Sequence, residues 1–129
     1  MNQNPIIVFV CEHGAAKSIL AAAYFNQIAH EMGLKLRAVA RGTNPDKELS
    51  PQTIKGLSDD SLTPTESAPQ KLTEADVQSA QRIITFCELP VEYHVQATIE
   101  RWDNIPLLSE NYEQARDAII ERIRQMLDR

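Results

Sequence analysis

The sequence predicts an α/β fold: a parallel β-sheet with helices on both faces. Three observations lead there. The segment "PIIVFV" (Pro5 to Val10) is apolar throughout and rich in β-branched side chains, which is how a strand buried on both faces reads. Strand-like and helix-like segments then alternate along the chain, as crossover units of a parallel sheet require. From Ser109 onward the chain carries apolar side chains at helical spacing.

The elements follow in order. "SILAAAYFNQIAHEM" (Ser18 to Met32) is alanine-rich and composed of good helix formers. Ser18 is read as its N-cap or first-turn residue and Gly33 as its stop. "LKLRAVA" (Leu34 to Ala40) alternates as a second strand does. "RGTNPDKELSP" is turn-rich, and Pro51 opens a short helix, "PQTIKGLSDD". "SLTPTESAPQK" (Ser61 to Lys71) is polar and proline-rich, and is expected to be irregular surface chain. "TEADVQSA" (Thr73 to Ala80) reads as a helix capped by Thr73. "RIITF" (Arg82 to Phe86) is a third strand ending at Cys87. The stretch after it is the hardest to read, with a fourth strand in "ATIERW" (Ala97 to Trp102) and a turn at "DNIP". The final helix places Tyr112, Ala115, Ile119, Ile123 and Met126 on one face, with acids early and arginines late, as its dipole favours. No internal repeat or domain boundary interrupts the pattern, and 129 residues fit a single domain, 1–129.

Composition narrows the function classes. The net charge of -5 argues against nucleic acid or an anionic membrane as the main partner, because both reward basic patches. No apolar run approaches bilayer length. The start "MNQNPIIVFV" lacks the basic start and small-residue cleavage site of a signal peptide, so a cytoplasmic address is expected. Both cysteines, Cys11 and Cys87, are then expected as reduced thiols.

The chemistry concentrates in "CEHGAAKS" (Cys11 to Ser18). A loop joining a buried strand to a helix N-terminus gathers free backbone N–H groups and the positive helix end, which makes an anion site. Cys11 opens that loop, and the same field favours its thiolate. Such a thiolate can attack phosphorus or arsenic in a bound oxyanion. Glu12, His13, Gly14, Ala15 and Ala16 would supply the cradle, and Lys17 would neutralise the charge. Ser18 would donate a hydrogen bond to the sulfur. The competing reading is a cysteine that serves as a small core hydrophobe. Cys11 and Cys87 each follow a strand, so both belong at the carboxyl edge of the sheet, where ligands bind in such folds.

Other motifs fall away. "GAAKS" lacks the first glycine and the glycine before lysine that a nucleotide-binding loop needs. Cys11, His13, Cys87 and His94 match no zinc spacing. No metal and no cofactor is expected. His30 reads as a solvated or capping residue, and Trp102 as packing.

At this point the chain resembles a family. "VFVCEHGAAKS" is similar to the loop of the low-molecular-weight protein tyrosine phosphatases and of the thioredoxin-coupled arsenate reductases that share their fold, whose pattern is C-x5-R-S after the first strand. "ARGTNP" (Ala40 to Pro45) resembles the segment after their second strand. "RIITFCELP" is similar to the reductases' third strand, which ends in a cysteine at the place of Cys87, and "RWDNIP" to their Trp-Asp-x-Pro-Asp-Pro loop. The resemblance implies a three-layer sandwich of the phosphotyrosine phosphatase I type, with a four-stranded parallel sheet of order 2-1-3-4. It implies Cys11 as nucleophile, Lys17 and Ser18 as its helpers, and Asp103 as the acid that protonates a leaving group. It further implies Cys87 as a resolving thiol, and phosphate, arsenate or a phosphorylated molecule as substrate, with a thiol reductant as partner.

Four departures stand out. The loop asparagine of the reductases is Gly14. The loop arginine is Lys17, a point charge where the family has a planar fork. The aspartate before the second proline is missing, which leaves Asp103 as the only carboxylate of "WDNIPLL", and no third cysteine follows Cys87. Two function classes therefore stand side by side: a cysteine-dependent oxyanion enzyme, and a catalytically impaired module that binds phosphate or a phosphoprotein.

Overall fold

The structure is a computed structural model that describes residues 6–93 and 98–128. Its elements are β1 (Ile6–Cys11), α1 (Lys17–Glu31), β2 (Arg37–Gly42), α2 (Pro51–Asp59), α3 (Glu74–Ser79), β3 (Ala80–Thr85), a 3-10 turn (Val91–Tyr93), β4 (Thr98–Arg101) and α4 (Tyr112–Leu127). His94, weighed above as a metal ligand, lies outside the described residues.

The four strands are parallel, in the order β2-β1-β3-β4. This is the α/β architecture the alternation predicts and the strand order the resemblance implies. β1 is central, and its side chains divide by the two-residue period of a strand. Ile7 and Phe9 face one core with α1 and α4, whereas Val8 and Val10 face a second core with Val77 of α3, Leu72 and Tyr93. Burial on both faces is why "IIVFV" shows no polar alternation.

On the larger face the aromatics interlock. Phe9 meets Phe25, Phe86 and Trp102 at ring separations of 5.8, 6.3 and 5.7 Å, and Arg122 lies 5.9 Å from the Trp102 ring centre. The Phe25 and Trp102 contacts are edge-to-face and the Phe86 contact is stacked; such aromatic pairs add about 0.5–1.5 kcal/mol beyond area burial. Trp102 is packing, as expected, and it fixes the chain at the exit of β4.

Several boundaries move, each for a visible reason. Cys11 is the last residue of β1 rather than the first after it, because it still pairs with Gly42. β2 begins at Arg37 rather than Leu34. Gly33, at φ +72°, turns the chain out of α1 so that the Leu34 N–H returns to the Ala29 carbonyl. β3 ends at Thr85, whose hydroxyl accepts from the Cys87 N–H and donates to the Cys87 carbonyl, curling the chain. α4 waits until Tyr112 for its cap, Asn111, which accepts from the Gln114 N–H. Thr73 caps α3 as predicted, in a capping box with Asp76. Ser50, unforeseen, caps α2.

Where α1, α2 and α4 meet, Tyr24 donates to Asp60, which Arg116 approaches at 3.7 Å. Burial, then the bond to Asp60 and its charge, push the Tyr24 phenol well above its ordinary value of 10. A raised folded-state value means stability that is complete below pH 10 and drains away as the pH climbs beyond it. Tyr24→Phe should therefore cost about 1–2 kcal/mol at neutral pH. It should also flatten the alkaline decline, both read from denaturant midpoints between pH 7 and 11.

Candidate active site

The Cys11–Ser18 loop sits at the carboxyl end of the central strand, against the segment that follows β2. That segment holds the loop by its carbonyls. Cys11, Glu12, His13 and Ala15 accept in turn from the N–H groups of Thr43, Asn44, Asp46 and Ser50, at 3.2, 2.7, 3.0 and 2.9 Å. With its carbonyls directed there, the loop keeps its donors free. No N–H from Glu12 to Ala16 finds an acceptor among the described residues. A row of free N–H groups ahead of a helix start is an anion cradle.

Two glycines permit this close approach. Gly14 is in the left-handed region at φ +62°, and it lies on Gly42, the partner of Cys11 in β2. A Cβ on Gly42 would stand 2.7 Å from the Gly14 nitrogen and 2.9 Å from its Cα.

Cys11 is buried at the floor of the loop, and its Sγ lies 3.0 Å from Ser18 Oγ. Ser18 is fully buried and is the second residue of α1. It is not the N-cap: that position is Ala16, which makes no side-chain cap bond. The hydroxyl serves the sulfur instead of the helix.

Lys17 is half-buried at the helix start, and its ammonium donates to the carbonyl of Ile105 at 3.2 Å. His13 and Asp46 form an exposed pair at 3.2 Å, a second tie between the loop and the segment after β2. Glu12 is exposed, Ala15 buried and Ala16 half-buried. A cleft of about 840 Å³ opens over the loop. Cys11, Lys17 and Cys87 line it together, with Leu49, Phe86, Leu107 and Leu108 as apolar walls. Cys87 is half-buried, with Thr85 Oγ1 3.5 Å from its sulfur, and both cysteines are free thiols. The two strand ends thus bring both thiols to one cleft.

Asp103 does not join them. It is exposed, paired with Arg101 at 2.9 Å, and absent from the cleft lining. Two features escaped the sequence reading: the N–H donors of residues 43–50, and the Ile105 carbonyl. Backbone groups leave no mark in side-chain chemistry. Gly42, two residues past the predicted second strand, is the one sequence feature that could have signalled a close approach.

The chain matches the profile of the family described as "Low molecular weight phosphotyrosine protein phosphatase" over residues 6–127. The chain belongs to that family. Solved structures agree on the fold of this family member. A low molecular weight protein tyrosine phosphatase from T. tengcongensis superimposes with a TM-score of 0.86 at 16% identity, covering 96% of this chain and 98% of that one. An arsenate reductase from Archaeoglobus fulgidus gives 0.75 at 22% identity, covering 95% and 99%. The thioredoxin-dependent arsenate reductase of Corynebacterium glutamicum gives 0.74 at 21% identity; the match covers 95% of this phosphatase-family chain but only 59% of that one. No helix among the described residues is long and apolar enough to cross a membrane.

Gly42→Ala tests the glycine contact. The new methyl must displace backbone, and overpacking of this kind costs about 1–3 kcal/mol. We expect a lower denaturation midpoint and weaker phosphate binding by calorimetry, even where the variant remains folded.

Proposed function

We propose that the chain, as one domain over 1–129, is a cysteine-dependent oxyanion enzyme, a phosphatase or arsenate-reductase-like catalyst with Cys11 as nucleophile. One observation carries the reading. The Cys11 sulfur lies 3.0 Å from Ser18 Oγ beneath a loop whose N–H groups have no acceptor among the described residues. The substrate is a phosphate monoester or arsenate. Its oxygens take the N–H groups of Glu12 to Ala16, with the Lys17 charge beside them, and bring phosphorus or arsenic over the sulfur.

Attack forms a bond from sulfur to the central atom, and the leaving oxygen departs with its electron pair. With a phosphate ester, water then attacks phosphorus, and the sulfur leaves with its electron pair as phosphate is released. With arsenate, the Cys87 thiol attacks the Cys11 sulfur, arsenite departs with the electron pair of the sulfur–arsenic bond, and an external thiol reductant reduces the resulting disulfide. The Ser18 hydroxyl stabilises the thiolate before attack and again when sulfur leaves. Asp103 would have to abandon Arg101 to protonate the leaving oxygen. Such an exposed pair contributes about 0–1 kcal/mol, so that release is cheap. Arsenate, and esters of acidic alcohols, need the proton least. Those are the substrates this site would turn over best. Cys87 lines the same cleft and is placed to accept a redox role if a thiol reductant serves as partner.

A second reading has its own support. With Asp103 outside the cleft and Lys17 bonded to Ile105, the site would hold an oxyanion or a phosphorylated protein without turnover.

A turnover assay decides between them. On the enzyme reading, p-nitrophenyl phosphate or arsenate is consumed and Cys11→Ser abolishes it. Binding of phosphate with no Cys11-dependent turnover of either substrate establishes the binding module. Lys17→Arg supplies the planar fork. Because one transition-state donor is typically worth about 10²–10³ in rate, the variant should gain in kcat/KM on p-nitrophenyl phosphate.

A further inference from the structure

Lys17 is bonded to a carbonyl 88 positions away in sequence, that of Ile105. The span it reaches runs between two buried anchors, Trp102 and Leu108. Trp102 is fixed by its backbone N–H on the Thr85 carbonyl, by its indole N–H on Glu100 and by its ring on Phe9 and Phe86. Between the anchors, Asp103, Asn104 and Leu107 are exposed. The span carries the only candidate acid, and Leu107 at its end is a cleft wall. Within it, the backbone is aimed by two sequence features. Asn104 adopts φ +66°, a conformation that asparagine tolerates far better than most residues. Ile105 precedes Pro106, which confines it to extended conformations. Together they present the Ile105 carbonyl to the Lys17 ammonium.

An ammonium has three N–H bonds. One goes to Ile105, and two are left for other acceptors.

We propose that Lys17 is a positioning residue, a strut that holds the 103–107 span in register with the oxyanion loop and thereby sets the cleft wall at Leu107 and the station of Asp103. This rests on the oxyanion reading of the loop only for its catalytic consequence; the strut itself is a property of the free protein. It also gives the lysine a reason distinct from charge. A bound oxyanion and the Ile105 carbonyl share one ammonium, so occupancy of the loop and order in the span are coupled.

Amide hydrogen exchange read by mass spectrometry on peptides covering residues 102–111 tests this in the whole chain. In Lys17→Met these amides should exchange about fivefold faster, the factor for one net hydrogen bond of about 1 kcal/mol. Peptides from β1 and α4 should be unchanged. Asn104→Val disfavours the left-handed turn, leaves Lys17 in place, and should loosen the same amides. Lys17→Arg should keep them protected. In wild type, added inorganic phosphate should alter exchange in the span, and in Lys17→Met it should not.

Kinetics separate positioning from mere stability. Asn104→Val should raise KM for p-nitrophenyl phosphate, whose aryl group would lie against the cleft wall, with kcat little changed, and should shift the inhibition constant for inorganic phosphate, because the coupling is reciprocal. Unchanged exchange in both Lys17→Met and Asn104→Val overturns the strut. Loosening confined to Lys17→Met, with Asn104→Val fully protected, also overturns it, because the carbonyl's aim would then be irrelevant. Absence of turnover in the wild type defeats the enzyme reading but leaves the exchange result to stand or fall alone.

Discussion

The site depends on the direction in which one loop's peptide groups point. A chain leaving a buried strand has as many carbonyls as N–H groups to satisfy, and buried ones must find partners. Here the segment after β2 takes the carbonyls of Cys11, Glu12, His13 and Ala15. Everything functional follows from that assignment. The N–H groups are left to face the cleft, the Cys11 sulfur lies beneath them, and α1 adds the positive end of its dipole. The geometry is specified by backbone, so the alanines at 15 and 16 lose nothing by having no polar side chains.

That assignment needs a sheet behind it. β1 lies between β2 and β3, so Cys11 is fixed from both sides, through its pairing with Gly42 and through the Phe86 N–H on the Val10 carbonyl. The apolar side chains of β1 secure the strand in two cores, and Phe9 ties it to Trp102 across the larger one. Core and site are therefore continuous: Phe86 stacks in the aromatic cluster and also lines the cleft. A change in core packing there alters the cleft wall directly.

Much of this was legible in the residues. "IIVFV" announces a strand buried on two faces, and "CEHGAAKS" a thiol at a helix start. The order of elements fits the parallel sheet that was found. The less legible parts fall into two kinds. Element ends depend on hydrogen bonds that local sequence does not specify, as where the Thr85 hydroxyl curls the chain at Cys87 or Gly33 delays β2. Long-range pairings depend on tertiary placement. The bond from Ser18 to the sulfur seven residues earlier was legible from the loop motif, but the cap of α1 falls on Ala16, which has no polar side chain to mark it. Lys17 reads as an oxyanion ligand, yet its nearest partner is a carbonyl in a loop near the other end of the chain.

The lysine and the displaced aspartate belong together physically. Arginine's guanidinium is large, flat and weakly hydrated, and it binds two oxygens of an oxyanion at once. A lysine ammonium is compact and can share itself between partners lying in different directions. On the proposed reading the loop then loses part of its grip on the oxyanion, while the ammonium stays bonded to the segment that carries Asp103. Asp103 in turn rests on Arg101 at the surface, where solvent screens the pair and makes it weak. On the proposed reading, the site combines a backbone cradle with a lightly held acid. Binding an oxyanion asks little of the backbone, whereas protonating a poor leaving group asks a surface carboxylate to travel. If the chain is the enzyme proposed, chemistry in which the leaving oxygen departs without help is what this arrangement would favour.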